Sequence, residues 1–136
     1  MIVGRIMRVR VRCVSPKTSV RAAAALMREL DVGAFAVCEN DKPVGIVTDR
    51  DLAVRWIPTV TEDSPLEHVM TPNVATCLAN DTVENAAYRM SDLQIRRLVV
   101  VDENGKFAGM LSLDDIARDE SEELAGQTLG EVVEER

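Results

Sequence analysis

The amino-acid sequence repeats itself once, and that repeat limits the possible folds more than any other feature. A shift of 63 positions lays Met7 on Met70, Val11 on Val74, Val20 on Val83, Ala23-Ala24 on Ala86-Ala87, Met27 on Met90 and Leu30 on Leu93. Past a turn the shift becomes 64, laying Gly45 on Gly109, Thr48 on Ser112, Asp51 on Asp115 and Leu52 on Ile116. One extra residue in Asp102-Glu103-Asn104-Gly105-Lys106 accounts for the change. A period of about 60 residues met only twice describes a tandem pair, not a solenoid.

Each copy reads as strand, helix, strand, strand, helix. In the first copy a short strand around Arg12-Cys13-Val14 enters the turn Ser15-Pro16-Lys17-Thr18, where proline pre-sets the backbone. Val20, Ala23, Ala24, Met27 and Leu30 then recur at the spacing of an amphipathic helix. Thr18 or Ser19 can cap its start, and Gly33 can end it in the left-handed conformation. Phe35-Ala36-Val37-Cys38 and Val44-Gly45-Ile46-Val47, joined by a polar turn, predict a hairpin. Leu98-Val99-Val100-Val101 and Phe107-Ala108-Gly109-Met110-Leu111 repeat it around an Asn-Gly turn. Second helices begin at Thr48-Asp49-Arg50-Asp51-Leu52 and Ser112-Leu113-Asp114-Asp115-Ile116, and Ser64 is placed to cap a short turn into Val69-Met70. The expectation is an α+β fold of two motifs, 1–63 and 64–118, followed by an acidic C-terminal tail, 119–136. A copy this small buries its strands poorly alone, so the two are expected to pack sheet to sheet with pseudo-twofold symmetry.

The chemistry-bearing pattern is glycine, two apolar residues, a hydroxyl residue, two more residues, then aspartate. It stands as Gly45-Ile46-Val47-Thr48-Asp49-Arg50-Asp51 and again as Gly109-Met110-Leu111-Ser112-Leu113-Asp114-Asp115. Thr48 or Ser112 ends a strand and Asp51 or Asp115 sits in the first helical turn, so both face one strand-to-helix crevice. There a carboxylate can accept two hydrogen bonds from a ribose diol, while the hydroxyl and the helix-start amides face a phosphate. The same spacing is also a helix capping box, and the two uses are compatible.

With these motifs the chain resembles a tandem pair of cystathionine β-synthase (CBS) domains, the Bateman module. The resemblance is carried by Val11-Arg12-Cys13-Val14-Ser15-Pro16, Asp31-Val32-Gly33-Ala34-Phe35-Ala36-Val37 and Gly45 to Leu52. In the second copy it is carried by Val69-Met70-Thr71-Pro72, Ile95-Arg96-Arg97-Leu98-Val99-Val100-Val101-Asp102 and Gly109 to Ile116. It spans residues 3 to 118. Ala36 and Val99 stand where the family usually carries proline. The resemblance implies that Thr48, Asp51, Ser112 and Asp115 hold the ribose and phosphate of AMP, ADP, ATP or S-adenosylmethionine. It also implies an adenine lining of Thr18, Ala23, Val32 and Gly33 in the first copy, and of Asp81, Ala86, Ile95 and Arg96 in the second. Arg50 is placed to reach a phosphate, where the second copy has Asp114; Asp81 replaces the hydroxyl of Thr18, and Arg96 with Arg97 restores positive charge. The first site is therefore expected to be the better equipped.

Composition narrows the function. A net charge of −7 disfavours general nucleic-acid binding. The charge is uneven: Arg5, Arg8, Arg10 and Arg12 open the chain without an acid among them, and 119–136 carry seven acids and one base. Arg8, Arg10 and Arg12 alternate, sharing one face of a predicted strand that the tail could neutralise. No apolar run approaches the roughly 18 residues of a membrane span, and no signal peptide is evident. Cys13, Cys38 and Cys77 are odd in number and form no CxxC pair, which fits reduced thiols and a cytoplasmic location. One His, one Trp and one Tyr leave little material for catalysis or a zinc site, so no catalytic and no metal-binding residues are assigned. The pair leaves no room for a catalytic barrel of about 250 residues.

The expected function is thus a non-enzymatic regulatory module that senses an adenosyl small molecule in the cleft between two motifs, with no cofactor of its own. Its expected partners are a second copy, forming a homodimer through Leu52, Ala53, Trp56, Ile116 and Ala117, and an effector protein of unknown identity. A ligand-free dimeric scaffold or stress-associated interaction protein is the alternative, and a metal-binding regulator using His68 and the thiols is a weaker one.

Overall fold

The computed structural model describes residues 1–9, 13–56 and 63–132. Arg10, Val11, Arg12 and the 57–62 part of the linker, on which some sequence expectations rest, lie outside the described residues. The fold is α+β with two sheets, and the chain divides into two compact units. Val11–Val74 forms the first, and Met1–Arg10 together with Ala75–Arg136 forms the second.

In the first unit, β1 (Cys13–Val14) lies parallel to β2 (Ala34–Glu39), which pairs antiparallel with β3 (Lys42–Thr48), and β3 pairs antiparallel with β4 (Thr71–Pro72). Helix α1 (Val20–Leu30) crosses between β1 and β2. The Ser19 hydroxyl accepts the Ala22 N–H at 3.1 Å to start it, and Val20, Ala23 and Met27 form its buried stripe. Asp31, not Gly33, takes the left-handed position that ends it, with φ of 53°. The chain turns as soon as the buried stripe runs out, and aspartate is one of the side chains that tolerate that conformation. Asn40 and Asp41, both at positive φ, make the two-residue turn from β2 to β3. Helix α2 (Asp49–Asp51) continues as a π-helical turn through Leu52–Trp56. Arg21 sits 5.6 Å above the Trp56 ring, consistent with a packing role for the indole.

The second unit repeats the plan with β5 (Thr76–Leu78), α3 (Val83–Leu93), β6 (Arg97–Val101), β7 (Phe107–Ser112) and α4 (Leu113–Asp119). β5 runs parallel to β6 and β6 antiparallel to β7. Thr82 caps α3, and Gln94 repeats the left-handed end at φ of 58°. The register of each hairpin shifts at the same place, between Val37 and Cys38 and between Val100 and Val101.

The compact units do not follow the sequence motifs, because each lead-in segment is complementary to one particular copy. Leu66 N–H bonds Thr18 O, Val20 N–H bonds Ser64 O, and Thr71 pairs with Ile46, so 64–72 completes the first unit. Val3 N–H bonds Asp81 O, Val83 N–H bonds Met1 O, and Arg8 pairs with Met110, so the first nine residues complete the second unit in the same manner. Val3 and Leu66 are the fully buried counterparts in the two 3-10 turns, Val3–Arg5 and Leu66–His68. Pro65, not Ser64, occupies the cap position of the latter turn, and the Ser64 hydroxyl makes no bond there.

Two expectations change. Residues 119–136 were expected to form a tail, but helix α5 (Glu122–Glu131) packs against α3 and α4, capped by Ser121 and burying Ala125 and Thr128. Its buried side is too narrow to give a clear apolar period. The thiols of Cys13 and Cys38, expected to be reduced, are joined as a disulfide. Parallel pairing of β1 on β2 brings their Cα atoms to 5.9 Å across a separation of 25 residues. Cys77 is a buried thiol whose burial pushes its pKa up to about 11. Among the described residues no helix is long and apolar enough to cross a membrane.

Candidate functional site

Both glycine-to-aspartate motifs are built from the lead-in segment outwards. A Cβ on Gly45 would lie 2.8 Å from Met70 Sδ and 2.8 Å from Thr71 O; one on Gly109 would lie 2.7 Å from Arg8 O and 3.1 Å from Met7 Sδ. Glycine stands there because a neighbouring backbone passes too close for a side chain. Three residues after each glycine the strand ends at the hydroxyl residue, which caps the helix that follows. Asp51 N–H bonds Thr48 Oγ1 at 3.2 Å while Thr48 N–H bonds Asp51 Oδ2 at 2.9 Å. Asp115 N–H bonds Ser112 Oγ at 3.2 Å while Ser112 N–H bonds Asp115 Oδ2 at 2.9 Å. Capping boxes are therefore present in both copies.

The two carboxylates differ beyond that shared box. Asp51 keeps 14% of its side chain exposed, and the guanidinium of Arg55 approaches its Oδ1 only to 3.7 Å. Asp115 is 2% exposed. Its Oδ2 takes a further bond from the Ser112 hydroxyl at 3.0 Å, and its Oδ1 takes one from Arg8 Nε at 3.0 Å, with Arg118 Nη1 at 3.9 Å. Asp115 is thus enclosed at its helix start, with the Arg8 side chain laid against it.

The sequence-assigned residues do not all converge on one place. Arg96, Arg97 and Ser112 line one cavity of about 280 Å³ with Leu113, Asp114 and Leu129. Arg96 O also accepts the Leu113 N–H, just as Gly33 O accepts the Asp49 N–H in the first unit. Gly33, Thr48 and Asp51 are thereby brought to one helix start, with Val32 immediately before Gly33 and Ile95 at the matching half-buried place before Arg96. Thr18 is half-buried in the turn that receives Leu66, and Arg50 is exposed. The Asp81 carboxylate is engaged in its own turn, accepting the Leu78 N–H at 2.9 Å. Ala23 and Ala86 are core residues of their units, where a methyl group is closed off from a ligand. Arg8, Arg118 and Leu129 were not assigned to a site from sequence. Only the alignment of Arg8 on Thr71, an otherwise unremarked mismatch inside the repeat, signalled the first of them. His68 is exposed, and among the described residues no three metal-ligating side chains cluster.

The sequence profile of the CBS domain matches residues 3–55 and 66–122. The chain is 36% identical over 125 residues to the CBS domain-containing protein YhcV of Bacillus subtilis, spanning 90% of this chain and 89% of that one. It superposes on the CBS domain pair of protein MJ0100, solved in complex with 5-methylthioadenosine and S-adenosyl-L-methionine, with TM-score 0.77 at 25% identity, covering 87% of this chain and 94% of that one. It superposes on CBSX2 in complex with AMP with TM-score 0.72 at 30% identity, covering 86% and 93%.

Proposed function

The chain belongs to the CBS domain family, and we propose that it is a non-catalytic regulatory protein that binds an adenine nucleotide or a related adenosyl ligand. The observation that carries this reading is the carboxylate of Asp51. It is oriented by the Thr48 capping box, is partly open to solvent, and has the Arg55 guanidinium 3.7 Å from its Oδ1. A vicinal diol can donate two hydrogen bonds to such a group, and charge-assisted bonds are the strong ones. Two solved neighbours hold AMP, or S-adenosyl-L-methionine with 5-methylthioadenosine, which supports the ligand class. Thr48 and Asp51 take the ribose, Thr18, Val32 and Gly33 the base, and Arg50 a phosphate, its exposed position leaving it free to swing towards one.

In this reading the protein is a homodimer, although Leu52 and Ile116, expected at the contact, are buried in the cores of their own units, and bound ligand alters the surface presented to an effector protein. Exposed Ala53 and Val54, on the turn that follows Asp51, are available to such a contact. The experiment is a thermal melt against AMP, ADP, ATP, NAD and S-adenosylmethionine. A ligand that binds only the native state raises stability by about 2.7 kcal/mol at a hundred times its Kd. A midpoint unmoved by all five at millimolar concentration overturns the reading and favours the ligand-free scaffold. Sedimentation at micromolar concentration tests the dimer, which a monomer would refute.

A further inference from the structure

We propose that Arg8 closes the second copy to a ribose diol, so that the chain takes a single adenosyl ligand, at Asp51. The proposal rests on the nucleotide-binding reading above and names the residue that makes its two copies unequal.

An ionised carboxylate offers about four lone-pair sites. At Asp115, Oδ2 already accepts from both the backbone N–H and the hydroxyl of Ser112, at 2.9 and 3.0 Å. Oδ1 accepts from Arg8 Nε at 3.0 Å, and the side chain is only 3% exposed. A diol arriving there would have to displace the guanidinium of Arg8, whose side chain is 48% exposed but whose backbone is fixed beside Asp115. Arg8 N–H bonds Met110 O at 2.8 Å and Met110 N–H bonds Arg8 O at 3.1 Å, while Gly109 lets that backbone lie flat against β7. At the matching position of the first unit the residue on Ile46 is Thr71, whose side chain lacks both the charge and the reach of arginine. Asp51 accordingly spends only Oδ2 on its capping box. A displaced arginine would leave a buried carboxylate short of a partner, and the diol would have to make up that loss before gaining anything.

The test is calorimetric titration of AMP, and separately of S-adenosylmethionine, into the wild-type chain, Arg8→Thr, Asp51→Ala and the double variant. Arg8→Thr gives the second copy the residue of the first. Arg8→Gln serves in its place if circular dichroism shows that the threonine variant does not fold. The expected result is one ligand per chain in the wild type, two in Arg8→Thr, none in Asp51→Ala and one in the double variant. Two ligands per wild-type chain would overturn the proposal, as would an Arg8 variant that still binds one, or one that loses a ligand because Arg8 itself holds a phosphate. No binding by the wild type with one ligand gained on Arg8→Thr would overturn the single site at Asp51 while upholding closure of the second copy by Arg8. No binding by any variant refutes both.

Discussion

The first and second units share a plan to within a residue, yet they treat the same carboxylate in opposite ways. Asp51 and Asp115 both close a capping box behind a strand whose glycine admits a neighbouring backbone. In the first unit that backbone brings Thr71, and the Oδ1 of the aspartate, 3.7 Å from Arg55, keeps partial access to solvent; in the second it brings Arg8, and the aspartate is enclosed in a network of hydrogen bonds. The disulfide reverses the balance, because Cys13 and Cys38 staple the first unit while Thr76 and Val101 stand at the matching places of the second. A repeated motif therefore specifies a local geometry, and the segment laid against it decides whether that geometry is available to a ligand.

The comparison is broken most directly at the two aspartates. Asp51→Ala is expected to cost roughly 2–4 kcal/mol of binding, a loss of about 30- to 1000-fold in affinity, and about 1 kcal/mol of stability through the lost cap. Asp115→Ala is expected to leave affinity unchanged and to cost roughly 2–3 kcal/mol of stability instead, since it removes the cap and leaves the Ser112 N–H and hydroxyl without their buried acceptor. Titration and denaturant melts of the same two variants read both halves, and equal affinity losses would erase the distinction. Next comes the disulfide. Reduction with dithiothreitol is expected to lower stability by about 3 kcal/mol, as closure of a loop spanning 25 residues implies, with faster hydrogen exchange in β1 and β2 and little change in β5 and β6.

The glycines give a smaller and more even effect. Gly45→Ala and Gly109→Ala each force a methyl into a backbone oxygen closer than 3 Å, at 2.8 and 2.7 Å, and should each cost roughly 1–3 kcal/mol in a thermal melt. Gly109→Ala should also push Arg8 away from β7 and so loosen its hold on Asp115. The smallest effect is expected from ending the chain after Arg118. Removing α5 takes away the buried Ala125 and Thr128, uncovers the faces of α3 and α4 they pack against, and should lower stability by about 1–2 kcal/mol, with the exchange rates of α1 unchanged. A midpoint identical to that of the full chain would return residues 119–136 to the role of a solvated tail.

What could be read from the sequence was whatever recurs at short range. The apolar stripes of α1 and α3, the two hairpins, the extra residue at Asp102–Lys106 and both capping boxes follow from periods and turn chemistry that act over a few residues. What could not be read joins distant positions. Arg8 meets Asp115 across 107 residues, and no local pattern ties a basic segment at one end to an acid near the other. The disulfide depends on the parallel register of β1 on β2, which spacing alone does not reveal. Gly33 looked like the helix end because glycine favours positive φ, yet Asp31 and Gln94 adopt it where the helix loses its buried face. Ala23 and Ala86, which the resemblance implies for the adenine lining, are buried in the cores of their units, because small side chains at helical spacing serve the core first.

The pairing of Arg8 with Met110 also sets an order of assembly. Val11–Val74 is contiguous, so every partner it needs has been synthesised once Pro72 has left the ribosome. The first nine residues are made earlier still, but their partners at Ala79, Asp81, Val83 and Met110 are made last. Synthesis proceeds at about 5–20 residues per second, so that leading segment, with its exposed Met1, Ile2 and Val9, waits seconds beside a finished first unit before its own unit exists. The basic residues interleaved along that apolar segment, Arg5 and Arg8, put charge on it until Asp115 emerges to receive the second of them.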